Sequence, residues 1–295
     1  SSHVTWKTAI QGKAWSSPVA WGRHIWVTNA TPEGTKLYAV CVQADTGEIV
    51  HDVTLFEIAE PMGCSSFNSY ASPTPVVEEG RVWVHFGSAG TACLDTDSGH
   101  VLWQRQDLHC DHFRGPGSSP ILFEDLLFLT FDGVDQQYVT ALDKRTGEEL
   151  WRTARDEATS WSPPLVVEHE GHTQVIVAAT GKVRSYDYDT GAVIWEVSGL
   201  GRNQIPAPVH QDDLVFVMSG FIAPNLMAIR LGGQGDLTGS DAVVWTNKQA
   251  NSYTPSPVLF DGQLYVLTDR GVLTNFDATT GHVHYRERLP GPSNF

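Results

Sequence analysis

Four cysteines in 295 residues, Cys41, Cys64, Cys93 and Cys110, is a sparse complement, and no two of them stand at CxxC spacing. That excludes the zinc-ribbon and thioredoxin-like readings and leaves open whether two of them pair. No apolar run approaches the roughly 18–20 residues that a membrane-spanning helix requires. Charge is thin as well: only 18% of residues are Asp, Glu, Lys or Arg, and the basic ones are the scarcer, 19 against 34, for a net charge of -15. Such a surface repels a phosphate backbone, so nucleic acid is not an expected partner. The GxSxG, HExxH and phosphate-loop signatures are absent, and Gly232-Gly233-Gln234-Gly235 lies between strand-like runs rather than at a helix start, so nothing points to a nucleotide. What the chain has in quantity is apolar surface, 41% of residues, with 10 Trp, 12 Phe and 8 Tyr. That is ample for a folded core and argues against disorder.

The chain repeats itself. Five segments carry a common turn, Asp45-Thr46-Gly47, Asp97-Ser98-Gly99, Arg145-Thr146-Gly147, Asp189-Thr190-Gly191 and Thr279-Thr280-Gly281. Four residues beyond each glycine stands His51, Trp103, Trp151, Trp195 or Tyr285, and four before it Gln43, Asp95, Asp143, Asp187 or Asp277. Upstream, a proline precedes a large side chain by eight positions: Pro18 to Trp26, Pro75 to Trp83, Pro120 to Phe128, Pro208 to Phe216 and Pro257 to Tyr265. A sixth copy begins at Pro164, carries an insertion near Glu168 to Thr173 and resumes at Val175-Ile176-Val177. Periods of about 40–50 residues signal solenoids or propellers.

Alternating, β-branched runs separated by Gly and Asp turns read as four short strands per copy, with no stretch of helical periodicity competing. The expected fold is all-β: a β-propeller of four-stranded antiparallel blades, with six repeats over about 14–56, 69–108, 115–155, 160–199, 205–247 and 252–289 in one domain, 1–295. The recurring Trp reads as a packing wedge between blades. Residues 4–10, Val4-Thr5-Trp6-Lys7-Thr8-Ala9-Ile10, read as the outer strand of a last blade, and Gly291 to Phe295 as the opening of a further repeat. Six blades within a seven- or eight-bladed ring is therefore the expectation. The fifth repeat replaces the Thr-Gly turn with a longer loop through Gly233 to Asp241. Its oxygens suit Ca²⁺ but lack EF-hand spacing, so the reading is a flexible solvent loop.

The run Ala141-Leu142-Asp143-Lys144-Arg145-Thr146-Gly147-Glu148-Glu149-Leu150-Trp151 resembles the repeat of the pyrroloquinoline-quinone-like (PQQ-like) propellers, and the resemblance extends over nearly the whole chain. That repeat is shared by quinoprotein dehydrogenases, by the propeller lipoprotein of the outer-membrane assembly machinery and by many exported bacterial proteins without an established reaction. Phe67 to Pro75 and His112 to Pro120 are most similar to the last group, which implies a periplasmic or extracellular protein. Quinoprotein dehydrogenases hold PQQ over a disulfide between adjacent cysteines, under a Trp, with Ca²⁺ ligated by Glu, Asn and Asp; this sequence has no adjacent cysteines. The leading expectation is thus a non-catalytic propeller that binds a protein or glycan, without cofactor. The alternative is an alcohol or sugar oxidoreductase in which Arg114, Asn203 and an acidic hairpin residue hold PQQ and calcium.

In a propeller the loops leading into each innermost strand and the middle hairpins form the face where ligands collect. From these the expected ligand-binding residues are Asn68, Tyr70, His112, Arg114, Asp132, Trp161, Arg202, Asn203 and Tyr253, with no catalytic residue and no metal ligand assigned. His109-Cys110-Asp111-His112 is the densest chemistry, but so tight a run cannot place four ligands around one ion unaided, and an ordinary polar loop is the reading. Arg114 is open to two roles, a receptor for carboxylate or sulfate through its planar fork, or a salt bridge to Asp132 or Asp135. Cys64 and Cys110 lie in consecutive lead-in loops within conceivable bridging range, whereas Cys41 and Cys93 read as small buried residues. Asp95, Asp143, Asp187 and Asp277 recur with every good copy and therefore read as turn-bonding carboxylates, not acid catalysts.

Overall fold

The computed structural model describes residues 3–290, and the 291–295 tail, with its expected further repeat, lies outside them. Among the described residues there is no helix, and 25 strands build six sheets. The first sheet is β1 (Val19–Trp21), β2 (His24–Ala30), β3 (Lys36–Gln43) and β4 (Ile49–Glu57); the second is β5 (Val76–Glu78), β6 (Arg81–His85), β7 (Thr91–Asp95) and β8 (Val101–Arg105). The third holds β9 (Ile121–Phe123), β10 (Leu126–Asp132), β11 (Gln137–Asp143) and β12 (Glu149–Ala154). The fourth is β13 (Leu165–His169), β14 (His172–Ala178), β15 (Lys182–Asp187) and β16 (Val193–Ser198), with a fifth strand, β20 (Gly235–Asp236), on its outer edge. The fifth is β17 (Val209–Gln211), β18 (Leu214–Ser219), β19 (Asn225–Arg230) and β21 (Val243–Asn247), and the sixth β22 (Val258–Phe260), β23 (Gln263–Leu267), β24 (Val272–Asp277) and β25 (Val283–Arg288). By contacts the chain divides into two compact units, Ser1–Gln136 with Ala141–Leu150, and Gln137–Thr140 with Trp151–Phe295.

One register recurs. The residue eight beyond the proline faces a small residue on the third strand, which faces the aromatic of the outer strand: Trp26, Cys41 and His51; Trp83, Cys93 and Trp103; Phe216, Ala228 and Trp245; Tyr265, Asn275 and Tyr285. Large rings flanking a small centre interdigitate across a pleated face, and Cys41 and Cys93 are fully buried there as small apolar residues. Immediately after the small residue the ladder slips, at Cys41/Val42, Cys93/Leu94, Ser185/Tyr186, Ala228/Ile229 and Asn275/Phe276. A bulge there adds local twist.

The core lies between consecutive sheets. Trp26, Leu37 and Phe56 of the first sheet pack with Val82, Val84 and Phe86 of the second, and Phe216 and Met218 of the fifth pack with Leu264 and Phe276 of the sixth. The outer-strand indoles of the second, third and fifth sheets reach the hairpin of the following repeat, where Nε1–H donates to the carbonyl one residue past the turn-starting position: Trp103 to Lys144 at 3.0 Å, Trp151 to Tyr188 at 2.9 Å, Trp245 to Ala278 at 2.9 Å. The indole lies over the turn glycine so closely that a Cβ on Gly147 would stand 2.7 Å from the Trp103 ring, and Gly147 has φ +74°. Only glycine meets both demands. The turn is fixed by its carboxylate: Asp143 Oδ1 accepts from the backbone N–H of Arg145 and Thr146, both at 2.8 Å. In Asp95 and Asp277 the hydrogen bonds from Ser98 and Thr280 hold the carboxyl below its usual range, the opposite of what a general acid needs.

Two expectations are corrected. Residues 4–10 form no strand; yet Trp6 donates to Ala44 O at 2.8 Å and covers Gly47, the seat that an outer-strand indole takes in other repeats. The loop Gly233 to Asp241 is not loose in solvent. Its strand β20 pairs in parallel with β16, Leu237 N–H donates to Glu196 O at 2.9 Å, and the Leu237 side chain joins the core. With the short turn gone from the fifth repeat, Trp195 turns its Nε1–H to Gln174 Oε1 at 3.0 Å.

Substituting Gly147→Ala should destabilise the protein by about 2–4 kcal/mol, from the positive φ together with overpacking against Trp103. Trp103→Phe should lose the indole hydrogen bond for about 1 kcal/mol. Urea unfolding midpoints check both, and a Gly147→Ala variant as stable as the parent would contradict the seating.

Candidate functional site

In the first unit the lead-in loops of the second and third sheets meet at one acceptor. The Arg114 carbonyl receives Asn68 Nδ2–H at 3.0 Å and Ser65 N–H at 3.2 Å, and Asn68 also donates to Pro116 O at 3.0 Å. Two expected residues, Asn68 and Arg114, are therefore adjacent, with Asn68 organising the loop. Tyr70 donates its hydroxyl to Met62 O at 2.7 Å, and its ring lies against Gly34, where a Cβ would stand 2.7 Å from it. A cavity of about 130 Å³ opens beside Asn68 and Tyr70.

The His109 to His112 run alternates. His109 and Asp111 are exposed while Cys110 and His112 are buried, so the four groups do not converge. Among the described residues no group of three or more His, Cys, Asp or Glu is arranged to hold a metal ion. His112 Nε2 accepts Ser88 N–H at 3.1 Å, its Nδ1 lies 3.4 Å from Cys110 Sγ, and the Cys110 backbone exchanges bonds with Ser88 Oγ. All four cysteines are free; burial pushes the Cys110 thiol far up and the Cys64 thiol up as well, so neither is an activated, low-pKa nucleophile. Asp132 is buried at the end of β10. Asp135 accepts from the backbone N–H of Asp111 at 2.7 Å and of Gln136 at 2.8 Å. Arg114 does not pair with either carboxylate. Its guanidinium is exposed and lies 5.3 Å from the Phe113 ring centroid.

Phe113 is the residue that sequence reasoning passed over. It has φ +62° and is 58% exposed. Left-handed backbone under a bulky side chain costs roughly 1–2 kcal/mol, and such strain collects where geometry serves binding. Phe67, one position before Asn68, is 91% exposed. Neither belongs to the alternating runs, so no periodic signal marks them.

In the second unit Arg202, Asn203 and Tyr253 occupy neighbouring loops. Arg202 N–H donates to Phe221 O at 3.0 Å and to Ile222 O at 3.3 Å, and the Phe221 ring stands 5.2 Å from that of Tyr253. Asn203, at φ +55°, donates its backbone N–H to Thr180 Oγ1 at 2.9 Å, and Asp269 accepts the backbone N–H of Tyr253 at 2.7 Å. Trp161, expected as an open stacking surface, is instead buried, with its backbone N–H on Gln204 O at 2.7 Å. The missed partner here is Ile222, at φ +43° and 56% exposed, a conformation that branched side chains rarely adopt.

The six sheets with their Asp-turn and seated-indole repeat define a PQQ-like β-propeller protein. The chain belongs to the family of the outer membrane protein assembly factor BamB, whose sequence profile matches residues 2–134, 135–229 and 234–294. It is 23% identical over 229 residues to the outer membrane protein assembly factor BamB of Legionella pneumophila (strain Paris), across 74% of this chain and 53% of that protein. It is 24% identical over 145 residues to methanol dehydrogenase [cytochrome c] subunit 1 of Methylobacterium organophilum, across 43% of this chain and 23% of that one. The chain thus spans about half of one relative and under a quarter of the other. The crystal structure of BamB from Moraxella catarrhalis superposes with a TM-score of 0.63 at 18% identity, over 95% of this chain and 76% of that one. A quinohemoprotein alcohol dehydrogenase of Pseudomonas putida HK5 does so at 0.57 and 14%, over 79% and 43%.

Burial holds His112 at a pKa of about 4, against the pull of Asp111 and Asp135, and His85, also near His112, at about 3. Both groups are neutral in the fold and protonate near 6.5 when unfolded. The stability they permit is therefore complete above pH 6.5 and falls with pH through the window down to about 4 and 3. The slope should be about 1.4 kcal/mol per pH unit for each histidine, measured by urea unfolding between pH 7 and 4. His85→Gln should flatten it; an unchanged slope would show that other groups set acid stability.

Proposed function

We propose that this chain is a non-catalytic binding propeller, placed in the periplasm or outside the cell, that docks a protein partner through the exposed tips of its lead-in loops and hairpins. The observation that carries this reading is the pair of bulky side chains left in water on left-handed backbone, Phe113 under the Arg114 guanidinium in one unit and Ile222 beside Arg202 and Phe221 in the other. Exposed aromatic and arginine groups on a rigid support are the usual anchors of protein interfaces. The family's own description as an assembly factor for outer membrane proteins supports both the compartment and a protein ligand.

The dehydrogenase reading has less support. The sequence has no adjacent cysteines, Cys64 and Cys110 are separate free thiols, and the Arg114 guanidinium lies exposed beside the Phe113 ring. No redox step is assigned.

The test is a photo-crosslinking benzophenone residue placed at Phe113, and separately at Asp189 in an exposed turn, in cells making the full chain. Crosslinks to an envelope protein should form from position 113 and not from 189. A Phe67→Ser, Phe113→Ser, Ile222→Ser variant should weaken capture by about tenfold or more per anchor with its melting temperature nearly unchanged. Equal crosslinking from both positions, or undiminished capture by the triple variant, rejects the reading; retention on immobilised glycan with no protein crosslink replaces the protein ligand with a sugar.

A further inference from the structure

The cavity beside Asn68 and Tyr70 contains a cation without a counter-ion. Lys13 lines it together with Cys64, Ser65, Ser66, Asn68 and Tyr70, and no carboxylate does. Lys13 is half-buried and its ammonium is held in place: Nζ donates to Asn68 O at 2.7 Å and to Ser66 O at 3.2 Å, and lies 5.2 Å from the Trp15 ring centroid. Among the described residues it makes no ion pair, in a chain whose acidic residues outnumber its basic ones 34 to 19. An ammonium has three donors, so one N–H is left over. Hydroxyl-bearing residues line the same cavity: Ser65 Oγ accepts Phe67 N–H at 3.4 Å and keeps its own proton to give, and among the described residues the Ser66 hydroxyl has no hydrogen-bond partner. A positioned ammonium with hydroxyl donors and no acid is the complement of a small anion, and a charge-assisted bond in a partly closed site is the strong kind.

We propose that this cavity is a carboxylate-binding site, seating the C-terminal carboxylate of a bound polypeptide or the same group of a free organic acid. Phe67, adjoining Ser66 and almost wholly exposed, offers an apolar surface to the side chain that precedes a peptide's carboxylate. Only the peptide source rests on the protein-docking reading; the carboxylate site itself does not.

Cys64 supplies a reporter, since it lines the same cavity and is half-buried while Cys41, Cys93 and Cys110 are buried. The rate at which iodoacetamide alkylates Cys64 in the full chain is measured with propionate, with acetyl-Gly-Ser-Ala-Phe as the free acid, and with the same peptide as its C-terminal amide. The free-acid peptide should protect Cys64 at about one tenth of the concentration at which the amide does. Protection by propionate with none by the peptide keeps the site, assigns it to a free acid and counts against protein docking at this loop. Equal protection by acid and amide, or none by either acid up to about 10 mM, overturns the proposal. Lys13→Met should abolish protection. Because Lys13 also ties down two carbonyls, Ser66→Glu provides a second check: it places a competing carboxylate at the rim, leaves Lys13 intact, and should weaken protection about tenfold with near-UV circular dichroism unchanged. Undiminished protection in both variants overturns the assignment.

Discussion

In the second, third and fifth sheets the outer-strand indole settles on the glycine of the next hairpin and donates its N–H to a carbonyl fixed by that hairpin's carboxylate. Packing alone would let consecutive sheets slide, since apolar burial is not directional. The hydrogen bond removes that freedom, because a buried N–H left without an acceptor is penalised. Turn residue, glycine and indole thus form one unit, and the repeat needs all three at fixed spacing. Where the first repeat substitutes His51 for Trp, the ring still covers Gly99 and still reaches a backbone carbonyl, that of Asp97.

That regularity is why the scaffold could be read from the chain. Thr-Gly, the residue four before it and the aromatic ring four after it recur in five repeats because their sheets meet the same constraint, and recurrence is visible in one sequence. The functional surface has no such redundancy. Asn68, Arg202 and Tyr253 were located because they lie in the loops leading into innermost strands, but the direction of a loop side chain follows from backbone angles that no period encodes. Trp161 and His112 consequently turn inward, whereas Phe113 and Ile222, unremarkable in composition, are held outward by positive φ. Lys13 escaped notice for a related reason: its meaning lies in what does not surround it.

The first unit encloses several titratable side chains in their neutral forms. Three of four thiols are enclosed, which protects them from oxidants through lack of access rather than through pairing. His85 and His112 are enclosed as neutral rings, an arrangement tolerable near neutrality and increasingly unfavourable in acid.

Strand β20 has an implication for how such a chain can change over generations. Tandem repeats are ordinarily interchangeable, since each contacts its neighbours through the same surfaces and stability is close to a sum over units. By lending two residues to the edge of the fourth sheet, the fifth repeat has made itself specific to its position. Copying, deleting or exchanging either of those two repeats alone would leave an edge bare or a loop without its mooring, so the pair is inherited as one module.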